Sequence, residues 1–310
     1  PRKLESNYEK VNPTELEKRF ERGETLLSSF QDDEEEIRFS LAGAQDKLAV
    51  YVKDRDLFLP QGNSPSTHIL KPPSKRFPHV PEAECLMSNL ARAMGLETSP
   101  ASIVKLGNLN ACLIERYDRV VRDGRVHRLH QEDFCQALGV SHKAKYERDQ
   151  GPTFGNAYEC VETHSQRLPE DLERITKWLI FNVAIGNCDA HAKNLSLLRA
   201  DDGEWTLSPH YDFVPTRVYP KVSKLLAMSI GGTRDSGTIT ATHWKKLAQD
   251  IKFGSNLLLK LVREIAESAP DHYATTAAEF KKLYGDSPIL QPIEKVIHEQ
   301  TRRLLSQLEK

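Results

Sequence analysis

The sequence predicts an α+β fold in two lobes, a β-rich first lobe over residues 1–118 and a mostly helical second lobe over 119–310. Three observations predict it. Short stretches of strand character crowd roughly the first 120 residues, with one apolar stripe of helical period among them. Beyond Asp118 the apolar spacing turns helical and is broken by a single strand pair. Strands gathered in one half and helices in the other mark an α+β architecture rather than alternating βα units.

In chain order, residues 13–30 read as a helix with Gly23 inside it, and the acidic run 32–36 reads as a solvated loop. FSLAGAQDKLAVYV predicts strand, tight turn, strand, and DLFLP a further short strand. Residues 62–66 are a turn by composition. THILK is then a strand ending at Lys71, stopped by the prolines after it. Residues 81–95 predict a helix, because Leu86, Leu90 and Met94 recur four apart and Gly95 can end it. ASIVKLG and ACLIERYD predict two more strands joined through 108–110. Helices are then expected at 131–138, 168–186, 242–252, 255–267, 272–284 and 291–309. The one strand pair, NLSLL and WTLSPH, turns at 201–203.

With 43 basic against 44 acidic residues, the net charge of −1 gives no footprint for direct DNA binding. No apolar run approaches the ~20 residues of a membrane span, and PRKLESNYEK has no apolar signal stretch, so a cytoplasmic protein with no membrane role is expected. The five cysteines are scattered with no CxxC pair, which predicts reduced thiols. The histidines lack HxxH or HExxH spacing, which argues against zinc.

The strongest chemical signal is IGNCDAHAKNLSLL followed by SPHYDFVPT. Asp189 precedes Asn194 by five residues, a hairpin follows, and Asp212 stands next to Phe213. Phosphoryl transfer needs one carboxylate to orient the attacking hydroxyl and oxygen ligands to hold Mg2+ against the phosphates. Protein kinases present that Asp, Asn and Asp in this order, which makes Asp189 the candidate base and Asn194 and Asp212 the candidate metal ligands. The competing reading, a turn cap and a strand start, explains one residue at a time but not all three. Lys71 at a strand end and Glu84 on the next helix match the kinase lysine–glutamate pair. By spacing alone Glu84 reads better as a favourable charge at a helix start, since Glu82 is as well placed. SLAGAQDK, with Ser40, Gly43 and Lys47, is a small-residue turn whose N–H groups could approach phosphates, or a plain β-turn. LIERYDR places Glu115, Arg116 and Tyr117 where a kinase linker reads adenine with its backbone, or where an interlobe linker has no ligand. His191 stands where many kinases carry a lysine, with γ-phosphate contact and loop packing equally open. Cys188, beside the base, lacks a histidine partner at any recognisable spacing.

These segments, with GLETSP, QEDFCQALG and KYERDQGP, resemble the HipA family of bacterial toxin kinases over residues 38–220. The resemblance implies a two-lobed protein-kinase-like fold using ATP with Mg2+. It implies nucleotide contacts from Ala42, Gly43, Ala44, Gln45, Asp46, Lys47, Lys71, Glu84, Glu115, Arg116, Tyr117, His191 and Tyr211. It further implies autophosphorylation at Ser40, Ser/Thr phosphorylation of an aminoacyl-tRNA synthetase, and a helix-turn-helix HipB-like antitoxin that brings any DNA contact. Only 37 or so residues precede the glycine-bearing loop, which is similar to the short HipT branch and its small HipS-like partner protein. The readings set against this are a nucleotide-binding pseudokinase scaffold and a kinase of a small molecule or lipid.

Overall fold

The computed structural model describes residues 7–22, 47–74 and 76–310. They form two compact units: Pro1–Cys85 with Ser99–Arg128, and Leu86–Thr98 with Leu129–Lys310. The predicted strand–turn before Lys47 and the helical reading beyond Arg22 lie outside the described residues.

The first unit is built on an antiparallel six-stranded sheet. Its strands are β1 (Asn7–Lys10), β2 (Leu48–Lys53), β3 (Asp56–Gln61), β4 (His68–Lys71), β5 (Ala101–Leu106) and β6 (Leu109–Glu115), in the order β1-β3-β2-β4-β6-β5. Leu48 and Val50 point inward from alternate positions of β2. They meet Leu57, Leu70, Leu106 and Ala111 in one apolar cluster, closed by Leu16 of α1 (Pro13–Arg22). The β5–β6 turn is tighter than expected: Leu106 pairs with Leu109, leaving Gly107 and Asn108 between. Gly107 needs its left-handed φ of +60° there, which a side chain would strain. The predicted helix is α2 (Val80–Ala93), and Gly95 at φ +81° ends it. The hairpin β7 (Arg119–Arg122) and β8 (Arg125–Arg128) was not expected: its charged run carries no apolar alternation.

In the second unit the expected helix at 131–138 is corrected. Residues His130–Asp133 are β9, and only Phe134–Ala137 are helical, as α3. β9 adds a third strand to the predicted pair, β10 (Ser196–Arg199) and β11 (Trp205–Leu207), by pairing Asp133 with Ser196. That tertiary pairing overrides the local pattern. Helix α4 (Phe154–His164) and the hairpin β12 (Leu225–Ile230) and β13 (Thr233–Asp235) were also unforeseen. Helices α5 (Leu168–Ala184), α6 (Ala241–Asp250) and α8 (Leu290–Leu308) fall where expected. The two helices predicted at 255–267 and 272–284 are one, α7 (Ser255–Tyr284), running through Pro270. An interior proline costs about 3 kcal/mol. The face of Leu258, Leu261, Val262, Ile265, Tyr273 and Phe280, buried in a bundle with α5, α6 and α8, offsets it. Asp171, fully buried on α5, accepts from Ser165 Oγ at 2.6 Å, Leu207 N at 2.7 Å and Arg174 Nη1 at 2.5 Å, which fixes β11 to the helix.

Candidate active site

Helix α5 ends where backbone room is scarce. A Cβ on Gly186 would lie 2.6 Å from Val296 Cγ1, at a φ of +70°. The next residue is a brace. Asn187 donates Nδ2 to Asn182 Oδ1 at 2.7 Å, and its own Oδ1 accepts the Asp189 N–H at 3.0 Å. Cys188 N donates to Thr216 Oγ1 at 2.7 Å, tying the same loop to the chain beyond Asp212. Asp189 is thus presented by a backbone with its hydrogen bonds already spent. Asn194 closes the loop: its Oδ1 accepts the His191 N–H at 3.1 Å and its Nδ2 donates to Asp212 Oδ2 at 2.6 Å.

Asp212 arrives through the β10–β11 hairpin and stands at φ +65°, an uncommon conformation for a residue with a side chain. Such strain persists only where neighbours enforce it. Phe213 is fully buried edge-on against Phe181, 5.0 Å between centroids, which is worth about 1.5–3 kcal/mol of apolar burial. On the other side Tyr211 donates Oη to the Lys193 carbonyl at 2.9 Å and meets Ser196 Oγ at 2.7 Å. The predicted base, the predicted metal ligands and Tyr211 therefore gather in one place.

Burial pushes the Asp189 carboxyl up to about 6, with the charge of Asp212 adding to the rise, against the Tyr146 hydrogen bond and Lys145 charge that lower it. Burial also pushes His191 down to about 3, aided by Lys145. At neutral pH His191 is an uncharged imidazole, so it cannot replace a lysine cation. The imidazole is buried, with the Tyr146 ring edge-on against it at 5.1 Å. The Asp212 carboxylate and the Asn194 amide oxygen are the kind of hard donors Mg2+ takes. Asn194 Oδ1 has a second lone pair beyond the one given to His191, so the donor set fits that ion. Among the described residues no three His, Cys, Asp or Glu side chains gather as a metal cluster. Mg2+ needs none, since it keeps waters and takes one or two carboxylates plus phosphates. The Cys188 thiol is buried and pushed up, unsuited to act as a nucleophile.

Two residues here escaped the sequence reading. Tyr146 donates its hydroxyl to Asp189 Oδ1 at 2.6 Å. Burial lowers the Lys145 ammonium, while the charges of Asp189 and Asp212 hold it up. They come from KYERDQGP, whose local pattern carries no chemical signal.

The first unit holds its own predicted set. Lys71 Nζ lies 2.6 Å from Glu84 Oε1, and the Glu84 side chain is wholly buried. Glu82 instead accepts from Asn110 Nδ2 at 3.0 Å, so geometry chooses between the two acids that spacing left equal. In the linker, the Glu115 N–H donates to the Pro100 carbonyl and the Arg116 N–H to the Thr67 carbonyl, both at 2.9 Å. Arg116 and Arg119 both grip Asp118. Burial alone would raise that carboxyl, but the two guanidiniums hold it below its usual value. Lys47 is exposed just before β2; Ser40, Ala42, Gly43, Ala44, Gln45 and Asp46 lie outside the described residues.

Residues 39–273 match the family described as the HipA-like C-terminal domain. The serine/threonine-protein kinase toxin HipA of Shewanella oneidensis is 30% identical over 250 residues, covering 76% of this chain and 57% of HipA. A Sinorhizobium fredii protein, Y4mE, whose name carries a provisional kinase assignment, is 38% identical over 82% of this chain and 60% of its own length. The chain thus spans somewhat under two thirds of these relatives. A solved structure of Shewanella oneidensis HipA with HipB and operator DNA superposes with a TM-score of 0.82 at 26% identity, covering 98% of this chain and 72% of that one. The fold is accordingly the two-lobed, kinase-like α+β fold.

Proposed function

The chain belongs to the HipA-like C-terminal domain family, and from that premise we propose that it is an ATP-dependent serine/threonine protein kinase. The observation that carries the reading is the Asp189, Asn194 and Asp212 constellation, with Asn194 hydrogen-bonded to Asp212 at 2.6 Å and a half-buried, braced Asp189 beside them. Asp189 takes the proton of a substrate hydroxyl as that oxygen attacks phosphorus. A carboxyl near 6 is ionised at neutral pH yet more basic than an exposed one, which suits a general base. Asn194 and Asp212 hold Mg2+, which when bound neutralises charge on the transferring phosphoryl group. His191, a neutral imidazole, offers a hydrogen bond to phosphate oxygen. Lys71, paired with Glu84 at 2.6 Å, is assigned to the α- and β-phosphates, and the linker of Glu115, Arg116 and Tyr117 to adenine.

The name of the Shewanella oneidensis relative supports a toxin role, and its complex with HipB and operator DNA supports a HipB-like antitoxin partner here. We assign an aminoacyl-tRNA synthetase as the substrate and Ser40 as a site of self-phosphorylation, on the family resemblance. The test is incubation of the purified chain with MgATP and a panel of synthetases, read by phosphopeptide mass spectrometry, with Asp189→Asn as control. Phosphate on a synthetase Ser or Thr with wild type alone is expected. Transfer by the Asp189→Asn chain at the wild-type rate would remove Asp189 from the role of base, and transfer only to a small molecule or lipid would overturn the protein-kinase reading.

A further inference from the structure

The kinase reading gives no task to residues 144–151, yet they form a closed loop aimed at the base. Asp149 N and Gly151 N both donate to the Tyr146 carbonyl, at 3.0 and 2.9 Å. Gln150 is left-handed at φ +64°. A Cβ on Gly151 would fall 2.1 Å from the Ala144 carbonyl oxygen and 2.6 Å from that of Tyr146, backbone atoms that cannot swing aside. Only glycine allows so tight a closure. The loop is pinned from outside by Glu147, whose carboxylate accepts from Ser229 N at 2.5 Å and Ser229 Oγ at 2.7 Å on β12. What this frame presents is the ring of Tyr146. Lys145 Nζ and Arg148 Cζ lie 4.9 and 5.0 Å from its centroid, and His191 meets it edge-on at 5.1 Å. Its hydroxyl ends 2.6 Å from Asp189 Oδ1.

We propose that Tyr146 is the positioning residue of the phosphotransfer step: its hydroxyl fixes Asp189 through Oδ1 and so turns Oδ2 toward the acceptor. The proposal rests on the kinase reading. A carboxylate rotates about its last torsion with little preference, so a base held only by its backbone samples orientations that miss the substrate. A charge-assisted hydrogen bond to one oxygen removes that freedom. In the step, the acceptor oxygen bonds to phosphorus as the bond from that phosphorus to the leaving ADP oxygen breaks. The acceptor proton passes to Asp189 Oδ2, and Tyr146 keeps its own proton throughout. Misplacing a reacting group by ~1 Å costs about 10²-fold in rate.

The test is Tyr146→Phe in the full chain, which keeps the ring, its flanking cations and the His191 contact and removes only the hydroxyl. Expected are a kcat for protein phosphorylation lowered about 10- to 100-fold, an unchanged KM for ATP and an unchanged ADP affinity by calorimetry, with a melting temperature lowered only by the loss of one charge-assisted hydrogen bond. Adding Asp189→Asn should bring no loss beyond that of Asp189→Asn alone. A wild-type kcat in Tyr146→Phe overturns the proposal. So does a kcat loss that travels with weaker ADP binding, because the tyrosine would then only anchor the loop. A wild-type chain that binds ADP but moves no phosphate to any protein, itself included, sinks the kinase reading and the positioning role together, an outcome distinct from the other two.

Discussion

Replacing Asp189 by Asn should make the protein more stable while disabling its proposed chemistry. Burial raises the carboxyl from its ordinary 3.8 to about 6. That is about two units, and at about 1.4 kcal/mol per unit the folded protein gives up about 3 kcal/mol to keep this charge at neutral pH. The sign follows from linkage. Well below pH 3.8 the group is protonated folded and unfolded, and nothing is lost. As pH rises toward 6 the unfolded chain ionises first, so folding loses stability across that window and stays reduced above it. Asparagine matches the shape and still accepts the Tyr146 hydroxyl, without the charge. The assay is urea unfolding in EDTA without nucleotide, followed by tryptophan fluorescence, since Trp178 and Trp244 are buried in the same unit as Asp189. Asp189→Asn should exceed wild type by about 2–3 kcal/mol near pH 7.5 and by under about 0.5 near pH 4. Equal stability near pH 7.5 would refute the claim that this carboxylate is held charged against the burial it suffers.

The same carboxyl should give the phosphotransfer rate an acidic limb with an apparent pKa of about 6, falling as pH drops because the base becomes protonated; a limb near that of a free carboxyl would contradict it. Asp212→Asn should abolish transfer and reduce ATP affinity in Mg2+ while leaving affinity in EDTA unchanged, measured by calorimetry. Lys71→Met strands the buried Glu84 carboxylate and should cost about 3–5 kcal/mol in unfolding followed by circular dichroism. The double change with Glu84→Leu should recover part of that loss, and simple additivity of the two would contradict the pairing.

The predicted base and metal ligands were legible because their geometry is nearly local. Asp189 and Asn194 share one loop, and a single hairpin carries the chain on to Asp212. Tyr146 was illegible for the opposite reason: 43 residues separate it from Asp189, and only the packing of the second unit joins them. Glu82 and Glu84 illustrate a finer limit. Two residues apart on a helix they face nearly opposite ways, and which one meets Lys71 depends on how α2 lies on the sheet. The strand β9 failed for a related reason, since HQED has little strand character until β10 supplies a partner. Helix α4 was readable in principle: Phe154, Ala157, Tyr158 and Val161 recur at helical spacing behind a Thr153 cap.

Neither compact unit is a continuous stretch of chain, for the division falls between Cys85 and Leu86, inside one helix, and again after Thr98 and Arg128. This bears on how the protein is made. A growing chain emerges at about 5–20 residues per second. β4 waits for its neighbour β6 until residue 115 is out, so the sheet that carries Lys71 stays unfinished while 86–98 are already exposed. Those residues wait longer, because the bridge from Thr98 reaches His210, more than a hundred residues downstream. At that pace the delay is roughly 6–20 seconds. During it Thr98 has no partner strand to pair with, so its place in the second unit is fixed only after residue 210 has emerged.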